Sequence, residues 1–350
     1  MHHPMPLLKI LGFIGLLLNG SQSLVADETD KRPLKMTVGA FAAAGTPWDK
    51  DWQTFKKNTE ARSKGSAHVK LLVRGETGGE PITMSNIRRN RIQFGGFTLA
   101  GGAAVVPELS VLLAPFFFES TEELDWIMDT HMLDVFRPLF AKKNLYLVRW
   151  VDVGWLNMYG RKPIVRPEDA AGYRMRSQAS KASQIFMTSI GGDMLQMSFQ
   201  DLIPALQTGL VEGGETGIVL YGVTGLGKEA PHLTLTQHAY DSGIVVANYQ
   251  WFMSLPKETR ELIETSFPSS DAARQGVRGM VRYLENKIAG NKAVTTHRLS
   301  KKDRRLWQEA TQDNYTKIIK AVGGQSQMIY DAMLKAKKAY EQHQLSKGSS

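Results

Sequence analysis

One arginine, one aromatic ring and one small hydroxyl occupy equivalent places in the middle of the chain. Arg176 closes a short strand-like segment, residues 173–176. Phe199 follows a second such segment, 193–196, and opens a helical run, 200–208, that stops at Gly209. Thr216 lies in a third, 214–218. In an open α/β unit, the ends of successive strands and the turns after them converge on one crevice. A guanidinium offers a planar fork of donors matched to a carboxylate, and it stays charged at any physiological pH. A charge, an aromatic wall and a small polar group form the layout of a small-molecule binding site. The residues alone leave Arg176 open between that role and a surface ion pair to Glu168 or Asp193, and Phe199 open between wall and core.

Other chemistries find less support. Gly222 to Lys228 spells GxxxxGK, but Glu229 stands where a phosphate-binding loop needs Ser or Thr for magnesium, and Pro231 follows where the helix should run. The stretch reads as a flexible glycine loop. The eight histidines contain no HExxH pattern. His232 and His238 flank a strand-like run, so they share a face but stand about 20 Å apart at strand rise. No GxSxG elbow occurs, and the carboxylate pairs Asp49/Asp51 and Glu168/Asp169 fall at helix starts, where they offset the helix dipole. No metal, cofactor or catalytic residue is expected. Glu215 is the one titratable candidate beside Arg176 for an enzyme acting on a small acid.

Longer motifs surround the same residues. The run Lys162-Pro163-Ile164 and then Pro167-Glu168-Asp169-Ala170-Ala171-Gly172-Tyr173-Arg174-Met175-Arg176 resembles the KPI-x-x-P-x-D-L-x-G-x-K-M-R segment of TRAP-transporter solute-binding proteins of the dicarboxylate-receptor (DctP) type. Phe199 and Ala205-Leu206-Gln207-Thr208-Gly209-Leu210-Val211-Glu212-Gly213 are similar to that family's F-x-x-x-x-x-A-L-Q-T-G-V-V-D-G. Weaker similarity runs from about residue 36 to 320. The resemblance implies a two-lobed α/β fold like a class II periplasmic binding protein, with the ligand cleft between lobes and long helices in the C-terminal part. It implies that Arg176 clamps a carboxylate and that Phe199 stacks over the ligand. It further implies lobe closure, delivery to TRAP-type membrane permease subunits, and no enzymatic activity. Phe41, Trp48 and Phe97 are the expected contributions of the first lobe. Trp155, Leu156, Thr216, Glu215 and Tyr221 join Arg176 and Phe199 from the second.

The departures carry information. Leu156 stands where many family members have a second arginine, twenty residues before the first. Gly214-Glu215-Thr216 stands where they have an Asn after G-Q-E. A charged hydrogen bond contributes about 1.5–3 kcal/mol, so losing one costs on the order of tenfold to a hundredfold toward a second carboxylate. The expected ligand is an apolar or aromatic monocarboxylate. Two other classes remain: a receptor for an apolar, lipid-like ligand, with Arg176 structural, and the enzyme built on Glu215.

The elements that must hold these residues follow an alternating order. Strands are expected at 34–41, 69–74, 92–99, 107–118, 145–153, 233–240 and 244–248, with Asp241-Ser242-Gly243 a turn between the last two. Helices are expected at 48–63, 82–90, from Thr121 behind the capping pattern Ser120-x-x-Glu123, and at 180–189, 257–267, 271–289, 301–322 and 326–343. The β-α-β-α-β start argues for a mostly parallel sheet. One lobe is expected from 27–153 plus 242–282 and the other from 154–241 plus 283–344, with 345–350 a disordered tail.

Composition bounds the class. The 350 residues suit one large or two medium domains, and 42% hydrophobic content is ordinary for a globular chain. The formal charge of +9 is scattered, without a basic helix interleaved with aromatics, so attraction of small anions fits better than nucleic acid. Lys9, the apolar run 10–18 and Ala26 have the order of a signal peptide, with cleavage before Asp27 or Leu24. Export to the periplasm is expected. The absence of cysteine rules out disulfides, thiolate chemistry and a lipid anchor on an N-terminal cysteine.

Overall fold

The structure, a computed structural model, describes residues 33–348. The expected signal peptide lies outside them. Among the described residues, nine strands form one sheet: β1 (Leu34–Ala40), β2 (Ala67–Leu72), β3 (Phe94–Phe97), β4 (Leu145–Gly160), β5 (Arg174–Ser177), β6 (Asp193–Gln196), β7 (Gly213–Gly217), β8 (His232–Asn248) and β9 (Thr295–Arg298). Their order is β2-β1-β3-β8-β4-β7-β5-β6, with β9 beside β8. β1 pairs in parallel with β2 and β3, and β5 pairs in parallel with β6 and β7. The 16-residue β4 and the 17-residue β8 run antiparallel between these two parallel groups. Each group organises one half, and among the described strands β4 and β8 are the two that run through both.

The waist lies where outer partners change. β3 leaves β8 at Ile244, and β7 joins β4 at Leu156. Between these points β4 and β8 pair only with each other, and their register shifts between Asp152 and Gly154. Gly154 carries φ +120°, a conformation open to glycine and strained for other residues. A bulge bends its strand and increases the local twist.

Each half has packing of its own, and a larger core runs across both, from Met84 and Phe97 to Leu156, Ala182 and Ala239. Trp52, Phe55, Phe94 and Phe267 pack the first half around β1, with Phe55 and Phe267 stacked at 4.2 Å. Leu202, Leu206, Val219 and Leu284 pack beside β7, and Met175, Phe186 and Trp307 pack beside β5. The helix Ser270–Ala289 joins the halves: its Gly276 faces Pro47 on the first, and its Leu284 sits in the core beside β7. Arg278 on this helix donates to Asp152 at 3.1 Å and to Asp125 at 2.7 Å.

Four expectations are corrected. Residues 107–118 are not a strand. Pro107–Leu113 is a 3-10 helix with Leu109, Val111, Leu112 and Leu113 all buried. A short apolar run buried on every side carries no period that separates strand from helix. Asp241, Ser242 and Gly243 do not turn, because they sit inside the unbroken β8, where tertiary contacts override turn composition. The helix expected at 301–322 breaks into Lys301–Ala310 and Asn314–Val322, since Trp307 and Ile318 bury into different cores. The expected disordered tail is helical to Gly348, at the end of Ser326–Gly348. The start at Thr121 is capped by Ser120, which accepts from the Glu123 N–H at 3.1 Å, while Glu123 accepts from the Glu119 N–H at 2.8 Å.

Candidate functional site

A cavity of about 210 Å³ opens at the waist between the two halves. A single water needs ~10–15 Å³ by the same measure, so the space suits a small organic molecule. Its walls come from strand ends on both sides. From the first half come Phe41, Trp48, Glu80, Phe97 and Thr98; from the second come Leu156, Arg176, Gln178, Phe199, Thr216 and Leu220; Arg149, Asp241 and Ile244 come from the crossing strands.

Arg176 sits on β5 with β6 and β7 on either side, opposite Leu195 and Gly214. A Cβ on Gly214 would lie 2.6 Å from the Tyr159 hydroxyl and 2.9 Å from the Arg176 carbonyl, so only glycine lets β5 approach this closely. The Arg176 side chain is 6% exposed. Its Nε donates to the Met197 carbonyl at 3.2 Å, and its guanidinium lies 5.8 Å from the centre of the Phe199 ring. Among the described residues, no carboxylate comes within 4.0 Å of it and its two terminal amino groups have no hydrogen-bond partner. Glu168 faces Arg166 instead, and Asp193 pairs with Arg174 through the strand register. The surface ion pair considered for Arg176 is therefore absent.

Phe199 meets Phe41 from the opposite half at 5.9 Å between ring centres. The indole N–H of Trp48 donates to the Asp152 carbonyl at 2.8 Å, which holds that ring at the waist. Phe97 and Thr216 are buried on the cavity wall.

Three expected site residues lie elsewhere. Tyr221 is buried in the core beside β7, and its hydroxyl donates to the Ala230 carbonyl at 2.9 Å. Trp155 alternates away from Leu156 and packs edge-on against Tyr240 at 4.9 Å. Adjacent residues of a strand face opposite ways, so only one of this pair can reach the cavity. Glu215 likewise points opposite to Thr216. It is 1% exposed and accepts from His238 Nε2 at 2.7 Å, from the Ser183 hydroxyl and from the Gln178 amide at 3.3 Å. Burial opposes its charge, but these bonds and the neighbouring His238 and Arg176 hold its carboxyl below the usual range. Thr236 lies 2.8 Å from His238 Nδ1, and the Phe186 ring stacks on the imidazole at 4.0 Å. This network backs the site without facing it, so Glu215, the group on which the enzyme reading rests, does not line the cavity.

The sequence reading missed the acidic wall. Glu80 accepts from the Thr98 N–H at 2.6 Å and from its hydroxyl at 2.8 Å. Asp241 is 1% exposed and accepts from the Leu99 N–H at 2.9 Å. Burial, with the charges of Glu80 and Glu215, pushes its carboxyl up to about 7 against that hydrogen bond. Asp51 is pushed up to about 6 by burial, with Arg149 opposing. Arg149 also lines the cavity, but its three nitrogens already donate to Trp150, Pro268 and Ser270. Gln178 Nε2 donates one hydrogen to Glu215, which leaves its second N–H and its carbonyl oxygen. A signal for Glu80 existed in the loop Gly78-Gly79 before it, whereas Asp-Ser-Gly has turn composition and hid Asp241.

Two halves joined by crossing strands, with a lined cavity at the waist and a buried free cation in it, define a two-lobed solute-binding protein. Residues 38–321 match bacterial extracellular solute-binding protein family 7, DctP. The chain belongs to this family, whose members are receptors of TRAP transporters rather than enzymes. A solute-binding protein of Chromohalobacter salexigens is 24% identical over 269 residues, 76% of this chain and 78% of that protein. The sugar acid binding protein DctPAm of Advenella mimigardefordensis, solved with galactonate, superposes with a TM-score of 0.81 at 21% identity, covering 87% of this chain and 99% of that one. The periplasmic ectoine-binding protein of Halomonas elongata, from the TeaABC TRAP transporter, gives 0.80 at 21% identity with the same coverage.

Proposed function

We propose that this protein captures a small monocarboxylate in the waist cavity, closes its two lobes around it and hands it to TRAP permease subunits in the membrane. The carrying observation is Arg176: a buried guanidinium on the cavity wall whose terminal donors have no hydrogen-bond partner and no carboxylate within 4.0 Å among the described residues. Leaving such donors unmet costs more than the net gain of an ordinary hydrogen bond, so the site is built to receive an anion. One carboxylate rather than two follows from Leu156 in the cavity wall and from Arg149, each of whose nitrogens already donates to the protein. Galactonate in the Advenella protein supports a carboxylate ligand for the same fold.

Ligand contacts drawn from both halves favour the closed arrangement, and that differential shifts the population toward it. Hinge closure of periplasmic binding proteins is itself a stock example of such motion. The lobe limits proposed from the waist are 27–153 plus 242–282 and 154–241 plus 283–344. Export to the periplasm, with cleavage near Ala26, belongs to the same reading.

The test is a thermal-shift screen against organic acids followed by calorimetry, with Arg176→Ala and Arg176→Lys alongside. A ligand at a hundred times its Kd adds about 2.7 kcal/mol to the folded state. The wild type is expected to shift with a monocarboxylate, Arg176→Ala to lose the response, and Arg176→Lys to weaken it about tenfold or more because an ammonium is no fork. C4-dicarboxylates binding tighter than every monoacid would overturn the monocarboxylate assignment. A ligand that binds Arg176→Ala unchanged would overturn the clamp and favour an apolar ligand.

A further inference from the structure

Arg176 accounts for one end of a ligand and leaves the acidic wall without a purpose. Asp241 is buried on the cavity wall, and only its Oδ1 is used, by the Leu99 N–H. Oδ2 has no hydrogen-bond partner among the described residues, and no Lys, Arg or His comes within 4.0 Å of either Asp241 or Glu80. The two carboxylates feel each other's charge, and Arg176 is the cation that offsets Glu80. A ligand carboxylate seated on Arg176 neutralises that cation. Burial pushes both wall carboxyls up toward their neutral forms, and a cation opposite them is what lets them carry their charge. A ligand hydroxyl would offer Oδ2 a hydrogen bond but no charge, and a second ligand carboxylate would be repelled. A protonated nitrogen offers both the donor and the charge.

We propose that the ligand is a zwitterion: a monocarboxylate held by Arg176 that carries an ammonium or amidinium group held by Asp241, with Glu80 as the flanking charge. This rests on the carboxylate reading of Arg176 and replaces the purely apolar ligand body expected from Leu156. Asp241 is thus the residue that selects amino acids, in the broad chemical sense, over hydroxy acids and diacids. The apolar surfaces of Phe97, Leu156 and Phe199 cover the carbon skeleton between the two charges.

The experiment is calorimetry at pH 7.5 with straight-chain C3 to C6 monocarboxylates in three forms: ω-ammonio, ω-hydroxy and ω-carboxy. Wild type, Asp241→Asn and Arg176→Lys are compared, with circular dichroism to check folding. At the best chain length the wild type should bind the ω-ammonio acid at least tenfold tighter than the ω-hydroxy acid. Asp241→Asn keeps the side-chain shape and an acceptor for Leu99, and should bring the two within about threefold. Arg176→Lys should weaken both forms together. An ω-hydroxy or ω-carboxy acid binding as tightly as the ω-ammonio acid in the wild type overturns the zwitterion and leaves the Arg176 reading standing. Preference retained in Asp241→Asn overturns the role of Asp241. Binding that Arg176→Lys leaves unchanged overturns the clamp instead. Binding of none of the three forms overturns the zwitterion, and the broader acid screen then decides on Arg176 by itself.

Discussion

Arg176, Asp241 and Glu215 lie close together but obey opposite electrostatic rules, and pH separates them. Asp241 is raised to about 7 in the folded protein from an ordinary 3.8. Between those values the folded state holds more protons than the unfolded chain, so its contribution to stability falls as pH rises through that window. At about 1.4 kcal/mol per pKa unit, the penalty above pH 7 is at most about 4 kcal/mol. Asp241→Asn should therefore melt higher than wild type at pH 8, with the difference closing toward pH 4. Glu215 is lowered, so its contribution is present above its ordinary range and is lost as pH falls through the lower folded value. Glu215→Ala should destabilise at neutral pH, because it strands His238, Ser183 and Gln178, each at about 1–3 kcal/mol. That deficit should shrink on acidification. Paired pH–melting curves of both variants check the signs: curves moving the same way would contradict this electrostatic account.

At the scale of elements, the waist is where conformational demand concentrates. Gly154 sits at φ +120° in a register shift of β4, and a Cβ there would meet nothing nearer than Val281 at 3.9 Å. Space is available, so any penalty comes from the backbone alone. Gly154→Ala should cost about 1–3 kcal/mol, read by chemical denaturation, and a null result would mean the strand relaxes to another conformation freely. This waist also shows what could be read in advance. Arg176, Phe199 and Thr216 were legible because strand ends and their turns converge and because long motifs surround them. Leu156 and Trp155 were legible as a pair, but not which one faces inward, since that depends on a register set by β8 across the sheet. Asp241 was illegible. Its local composition favours a turn, whereas β8 continues unbroken through it, and Gly243 leaves the Phe97 carbonyl room, a Cβ there falling 2.8 Å from it. Long-range pairing outweighs local propensity at such a position, and no window of a few residues contains it.

For the whole molecule, the lips of the cavity decide whether the receptor can be trapped. Phe41 touches Phe199 across the opening, and a Cβ on Gly79 would lie 3.6 Å from the Cβ of Ser198. That separation falls in the range a disulfide spans, about 3.5–4.5 Å between Cβ atoms. Gly79 has φ −61°, so a side chain there meets no backbone strain, and the chain contains no cysteine to compete. Gly79→Cys with Ser198→Cys should therefore form one bridge that staples the two halves shut. If ligand shifts the population toward closure, a saturating ligand should speed oxidation of the pair, because the thiols meet only when the lips do. The oxidised protein should then release bound ligand far more slowly than the reduced one, with release restored by dithiothreitol. Oxidation at the same rate with and without ligand would mean the lips are already shut in the free protein. Slow release requires that the ligand leave through the opening at Phe41 and Phe199. Fast release from the oxidised form would place the exit elsewhere, and the pairing of Phe41 with Phe199 would then be packing rather than a gate.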